Sequence, residues 1–174
     1  MTPPQAPKVT FRPLERSDSI AELTGLLHRA YAALATQGFR FWASHQDEEA
    51  TRRRISEGDC FVAIADGRIV GTITLKKKHL TKGSPWYDRP EVASFGQFAV
   101  DPALQGRGIG SALLEIVERQ AVRDGVRELA LDTAEGATAL IEMYSKRGFR
   151  FIEHVDWRPD TNYRSVVMSK RLAP

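Results

Sequence analysis

The chain of 174 residues has one cysteine, no long apolar run and only a small net charge of +3. A single cysteine, Cys60, excludes an internal disulfide, and its place just before an apolar stretch (61 to 64) favours a small buried side chain over a nucleophile. No apolar run approaches the roughly 20 residues that cross a bilayer. The four histidines show no metal-ligand spacing, so we predict neither a metal site nor a membrane partner.

The composition is that of an ordinary globular protein, with 42% hydrophobic and 27% charged residues. Residues 1 to 7 contain three prolines and no apolar segment of the kind found in signal peptides. We therefore predict a flexible N-terminal tail over 1 to 7, a single domain over 8 to 174, and a cytoplasmic location.

Two short basic runs invite an interpretation as anion sites. Arg52 to Arg54 follows three acidic residues in a predicted helix, which favours a solvated face. Lys76 to Lys78 ends a predicted strand, where lysines commonly protect a sheet edge. Neither run alternates with aromatic side chains as a nucleic-acid platform would, and we predict no nucleic-acid partner.

Hydrophobic periodicity and turn residues predict alternating strands and helices in one mixed α/β domain. Asp66-Gly67 lies between two apolar runs and predicts a tight antiparallel hairpin. The predicted strands cover 9–14, 60–65, 68–75, 92–100, 128–132, 149–155 and 164–169, and the predicted helices begin near residues 18, 47, 109 and 137.

A glycine-rich turn, Gln105 to Gly110, connects the strand over 92–100 to an amphipathic helix. Its glycines bring bare backbone N–H groups to a helix N-terminus, which favours an anion such as phosphate, and Arg107 adds a cation. A nucleoside-triphosphate loop would need a lysine after the last glycine, and a dinucleotide loop a different glycine spacing. A tight turn with no ligand is the remaining alternative.

The sequence resembles the GCN5-related N-acetyltransferase (GNAT) family in this turn and in two flanking segments. Gln105-Gly106-Arg107-Gly108-Ile109-Gly110 is similar to the family's pyrophosphate signature, Phe98 to Pro102 resembles the strand end that precedes it, and Met143 to Phe149 resembles a second signature. The order of predicted elements agrees over residues 8 to 170.

The resemblance implies a single mixed, mostly antiparallel sheet of about seven strands, flanked by about four helices, with a splay between the fourth and fifth strands. It also implies acetyl-CoA as co-substrate and no metal. Backbone groups of Phe98, Ala99 and Val100 would pair with the pantetheine arm, while the pyrophosphate would be held by Gln105, Gly106, Arg107, Gly108, Ile109, Gly110 and Ser111.

The activity that the resemblance implies is transfer of an acetyl group to a primary amine by direct attack in a ternary complex. It assigns the general acid to Tyr144, although spacing alone favours a packed tyrosine. Ser94 stands where related enzymes carry a glutamate base, so proton removal falls to Glu91 or to a water chain through Ser94. Ala137 replaces a common cofactor-binding asparagine.

The acceptor site is predicted only from aromatic residues in segments outside these signatures. Trp42, Trp86 and Tyr87 are candidates to line a pocket for a small-molecule amine or peptide; a lid or a homodimer contact is the alternative. Two other classes of protein stay open, a non-catalytic acyl-CoA-binding module and a basic nucleic-acid binder.

Overall fold

The computed structural model describes residues 1–174, and its centre is one sheet of seven strands with the order β1-β2-β3-β4-β5-β7-β6. The strands are β1 (Val9–Pro13), β2 (Gly58–Ala65), β3 (Arg68–Lys76), β4 (Val92–Val100), β5 (Glu128–Ala134), β6 (Arg150–Val155) and β7 (Ser165–Arg171). The helices are α1 (Ile20–Thr36), α2 (Glu48–Ser56), α3 (Ile109–Arg123) and α4 (Thr138–Lys146). The predicted number of strands and helices is confirmed.

Every neighbouring pair of strands is antiparallel except β4 and β5. The β2–β3 hairpin turns at Asp66 and Gly67, whose φ angles of 50° and 72° are both positive, as a type I′ turn requires. The parallel β4–β5 pair has a register of Val92 with Glu128, Ala93 with Leu129 and Ser94 with Ala130, and the pairing ends there.

We call the boundary between β4 and β5 the seam, with a closed end at Val92–Ser94 and an open end from Phe95 to Val100. Along the open end the two strands run on without pairing to each other. The predicted splay between the fourth and fifth strands is thus confirmed.

The helices cover opposite faces of the sheet. Alternate residues of a strand point to opposite faces, and on β2 Val62 packs with the α1 leucines whereas Ala63 packs with Ile109 and Leu113 of α3. Tyr144 of α4 belongs to the same cluster as α3. Helices α1 and α2 contact each other on one face, and α3 and α4 lie on the other.

The structure corrects the interpretation of both basic runs. β3 is an interior strand, so Lys76 and Lys77 do not protect a sheet edge; they pair with Glu57 and Asp59 at 3.3 and 3.1 Å. Arg52 is exposed and lies outside the cleft described below, whereas Arg53 and the half-buried Arg54 line it. Hydrophobic spacing could not predict the position of Arg54, because the residues that cover this side chain lie outside its helix.

Residues 1 to 8 form no helix or strand, and β1 begins at Val9. No helix in the structure combines the length and the apolar character needed to span a membrane.

Candidate active site

A cleft of about 1020 Å³ occupies the open end of the seam. Its walls come from both faces of the sheet: Tyr31 and Arg54 from the α1–α2 side, Ile109 and Tyr144 from the α3–α4 side. Since β4 and β5 are not paired here, the cleft connects the two faces through the sheet. Two ligands could meet inside it, one from each side.

The glycine turn forms the α3-side entrance. Gly106 and Gly108 have φ angles of 78° and 83°, a region that side chains other than glycine rarely adopt. Gly110 is required for a different reason, because a Cβ there would lie 3.3 Å from the ring of Phe98. The backbone N–H groups of residues 106 to 111 donate to no protein acceptor. They form a ready set of donors at the N-terminus of α3, where a pyrophosphate fits.

The structure places the predicted cofactor residues together along this entrance. Those that line the cleft are Phe98, Ala99, Val100, Gln105, Gly106, Gly108, Ile109, Gly110 and Ser111. Arg107 belongs to the same turn but is exposed and does not line the cleft. The loop's backbone, and not the side chain of Arg107, therefore faces the cleft.

β4 is bent by a bulge at the centre of the cleft. Thr72 pairs with Ala99 but Thr74 pairs with Gly96, so Gln97 and Phe98 together face one residue of β3, and Gln97 has a φ of 52°. The carbonyl of Phe98 accepts a hydrogen bond from the Tyr31 hydroxyl at 2.9 Å. Of this segment's backbone, the Phe98 carbonyl is thus already satisfied by the protein.

Tyr144 lies on the cleft wall with its ring packed against Phe95 and Phe149 at centroid distances of 6.2 and 5.7 Å. The residue is 6% exposed, and its hydroxyl makes no hydrogen bond within the protein. Burial raises the pKa of Tyr144 above its ordinary value. The phenol is therefore protonated at neutral pH and has its proton available to a ligand in the cleft.

The two candidates for proton removal lie at opposite ends of the paired stretch Val92–Ser94. Ser94 lines the cleft, and its hydroxyl lies 3.0 Å from the Thr81 hydroxyl. Glu91 precedes β4, pairs with Arg89 at 2.6 Å and lines a separate cavity at the closed end. The structure does not bring Glu91 to the cleft.

The predicted acceptor aromatics are divided in the same way. Trp42 and Tyr87 line the cleft. Trp86 lies at the closed end, with the guanidinium groups of Arg89 and Arg150 at 4.5 and 5.6 Å from its ring. The cleft instead gains Tyr163, whose ring lies 5.0 Å from that of Phe41, which in turn lies 5.4 Å from Tyr31.

Sequence reasoning missed the charged residues of the cleft, among them Asp132 and Arg54. Asp132 lies on β5 just past the paired region, and its Oδ1 accepts a hydrogen bond from the buried Tyr87 hydroxyl at 2.7 Å. A charged residue inside the apolar run Leu129-Ala130-Leu131 to Ala134 was the available sign. For Arg54 no such sign exists in its own helix.

Comparison with known proteins agrees with this geometry. The family model for the acetyltransferase (GNAT) family matches residues 27–149. S-(2-succino)cysteine N-acetyltransferase of Bacillus subtilis is 37% identical over 133 residues, covering 74% of this chain and 76% of the relative. S-alkylcysteine N-acetyltransferase of the same organism is 24% identical over 165 residues, covering 90% and 89%.

Solved structures share the fold. A GNAT family acetyltransferase from Elizabethkingia anophelis, solved with acetyl-CoA bound, superposes with a TM-score of 0.65 at 20% identity, covering 94% of this chain and 98% of that one. This chain and that acetyltransferase thus share the overall fold. The chain belongs to the acetyltransferase (GNAT) family and is an acyltransferase.

Proposed function

We propose that this protein uses acetyl-CoA to acetylate the α-amino group of a small S-substituted cysteine, by direct attack in a ternary complex. The observation that carries the proposal is the cleft through the open seam, which has an anion-binding turn on one face and a charged, aromatic chamber on the other. Two curated relatives are named for cysteine derivatives, which supports this acceptor class.

The residues of the α3-side entrance fit the co-substrate. The N–H groups from Gly106 to Ser111 would hold its pyrophosphate, and the β4 backbone from Phe98 to Val100 would align its pantetheine arm. Bound there, acetyl-CoA supplies a thioester carbonyl as the electrophile. The protein's contribution is to fix the position of the ligand so that attack becomes effectively unimolecular.

Proton movements are assigned to two side chains of the cleft. Tyr144 donates a proton to the departing sulfur, because burial keeps its phenol protonated and its hydroxyl has no competing partner. After attack the nitrogen loses a second proton, which restores the Tyr144 phenol; before attack Ser94, hydrogen-bonded to Thr81, positions a water that accepts the first proton from the ammonium ion. The carboxylate of Asp132 attracts the acceptor as an ammonium ion before that proton leaves.

The test is thiol release from acetyl-CoA with a panel of amines, followed by product mass. The panel holds S-(2-succino)cysteine, S-ethylcysteine, an aminoglycoside and a peptide with N-terminal alanine. We expect the two cysteine derivatives to react fastest, each gaining one acetyl group, and initial rates to give the intersecting lines of a ternary complex. Fastest reaction with the aminoglycoside or the peptide would refute the acceptor class, and no release with any amine would refute the function.

A further inference from the structure

Three arginines line the cleft, Arg53, Arg54 and Arg147, and none of them has a carboxylate partner; of the three, only Arg54 has its guanidinium held by a hydrogen bond within the protein. Its Nη1 donates to Oε1 of Gln46 at 2.8 Å, and no salt bridge involves it. Elsewhere in the chain, Arg12 pairs with Asp18 at 2.8 Å and Arg150 with Glu128 at 3.0 Å. A guanidinium has five N–H donors in a fixed fork, so Arg54 retains most of its hydrogen-bonding capacity.

The guanidinium of Arg54 is held in place by a buried polar network. Gln46, 3% exposed, donates from Nε2 to Oγ1 of Thr51 and to Oε1 of Gln97, both at 2.8 Å. Thr51 also accepts from Thr24 of α1 at 2.8 Å. The network ties α1, α2 and the β4 bulge to the residue that holds Arg54. A side chain fixed in this way loses little freedom when it binds a ligand.

The charge of Arg54 is not compensated at contact distance. Burial lowers the pKa of its guanidinium, and the more distant Glu57 and Asp132 carboxylates oppose that change. Glu57 pairs with Lys76 at 3.3 Å, and Asp132 accepts from Tyr87. A partly desolvated cation of this kind is stabilised by an anion that reaches it from the cleft.

The anion in question is not the pyrophosphate of the co-substrate. Arg54 lies on the α1–α2 face, whereas the glycine turn leads into α3 on the opposite face. Between the two positions lies the open seam, with Tyr31 hydrogen-bonded to the Phe98 carbonyl. An anion at Arg54 therefore belongs to the acceptor.

We infer that Arg54 binds the carboxylate of the amine acceptor, which makes the acceptor a free α-amino acid and excludes amines that lack a neighbouring acid group. Asp132 and Arg54 then receive the two charges of a zwitterion, and the aromatic cluster of Tyr31, Phe41 and Tyr163 faces its side chain. This inference rests on the proposed function but concerns only how the acceptor is recognised.

The test compares S-ethylcysteine with S-ethylcysteine amide, which keeps the amine and loses the carboxylate. We expect the wild type to prefer the acid. In R54Q the KM for S-ethylcysteine should rise by about 10- to 100-fold, as expected for the loss of a charge-assisted hydrogen-bond pair. The kcat for the acid and the kinetics with the amide should change little. R54K should restore part of the preference, because it keeps the charge and loses the fork.

R52Q is the matched control, since it removes an exposed arginine from the same helix outside the cleft; it should behave as the wild type. Equal losses with acid and amide in R54Q would overturn the inference. Calorimetric titration of S-ethylcysteine into protein saturated with CoA tests carboxylate binding by Arg54 separately from the proposed function, because the measurement needs no turnover. A Kd about tenfold or more weaker in R54Q supports carboxylate binding even if no acetylation is seen, and an unchanged Kd refutes it.

Discussion

The two ends of the β4–β5 seam differ in whether their polar groups are hydrogen-bonded within the protein. At the closed end, Glu128 accepts two hydrogen bonds from Arg150, at 3.0 and 3.1 Å, and one from Ser169 at 2.7 Å. At the open end, the Tyr144 hydroxyl and the backbone N–H groups of residues 106 to 111 have no protein partner. The carboxylate of Glu128 at the closed end therefore has its partners within the protein, whereas these groups at the open end do not.

This difference separates stability from activity along one pair of strands. A polar group whose partners are all within the protein contributes to the free energy of unfolding, and its loss leaves a partner unsatisfied. A group with unused capacity contributes little to folding and can bind a ligand. Changes at the open end should therefore alter kinetics, and changes at the closed end should alter stability.

The largest effect is expected for Tyr144→Phe at the open end. Removing the phenolic proton should lower kcat by about 10²- to 10³-fold, the value of general acid catalysis, with little change in the melting temperature because the ring is kept. The measurement is thiol release at saturating acetyl-CoA from pH 6 to about pH 9, where the raised pKa keeps this phenol protonated. Tyr163→Phe, another cleft phenol, is the control, and an equally small loss in both variants would remove Tyr144 from the mechanism.

Gly108→Val should raise the KM for acetyl-CoA by about 10- to 100-fold, because a branched side chain disfavours the turn that presents the N–H donors. Gly67→Val is the matched control: it has a similar φ of 72° and, like Gly108, open space where a Cβ would lie. Both variants should lose about 1–3 kcal/mol of stability from backbone strain. A raised KM in both would mean that strain alone explains the effect.

Asp132→Asn should lower kcat/KM for S-ethylcysteine by about tenfold, because the ammonium ion loses a charged partner while the Tyr87 hydrogen bond can persist. The KM for acetyl-CoA and the melting temperature should not change. Initial-rate kinetics with each substrate varied in turn provide the measurement. A change confined to the KM for acetyl-CoA would contradict a role for Asp132 in binding the acceptor.

Glu128→Gln should lower the free energy of unfolding without changing activity, and its effect should be the smallest of the four variants. Burial raises the pKa of Glu128, but hydrogen bonds from Arg150 and Ser169 outweigh it, and the net shift is downward. Because the folded-state pKa is depressed, this carboxylate stabilises the fold above its unfolded pKa and loses the contribution as pH falls through the folded value. With Arg150 half-exposed, we expect about 1 kcal/mol at pH 7.

Urea unfolding at pH 7 and at pH 3 measures this difference, and the wild type should approach the variant at the lower pH. Steady-state kinetics of Glu128→Gln at pH 7 should match the wild type. A large loss of activity without a loss of stability would contradict the division between the two ends of the seam.

The open end also shows which features the sequence could predict. β4 runs from Val92 to Val100 as predicted, and the turn at 105 to 110 leads into α3 as predicted, because a strand, a glycine turn and an amphipathic helix are all local patterns. The position of the splay followed from the family resemblance. A site made of backbone N–H groups can be predicted from the sequence because one short segment supplies all of its donors.

The acceptor side could not be predicted in the same way. Gln46 holds Arg54 at the cleft, and Thr51 and Gln97 in turn hold Gln46. No pattern within α2 predicts a contact with Gln46 or Gln97, which lie outside that helix. Glu91 was a candidate because it lies three residues before Ser94, and Trp86 because it is an aromatic residue in a loop, yet both lie at the closed end. Which end of a seam a residue occupies depends on where the β4–β5 pairing stops, and no local pattern in either strand predicts that point.

A cleft that passes through a sheet has two mouths, so substrates can enter and products can leave by separate routes. The mouth beside Gly106 and the mouth beside Arg54 open on opposite faces. Neither ligand needs to pass the other on its way in, and neither product obstructs the exit of the other. We expect no compulsory order of release, so that CoA and the acetylated acceptor leave independently.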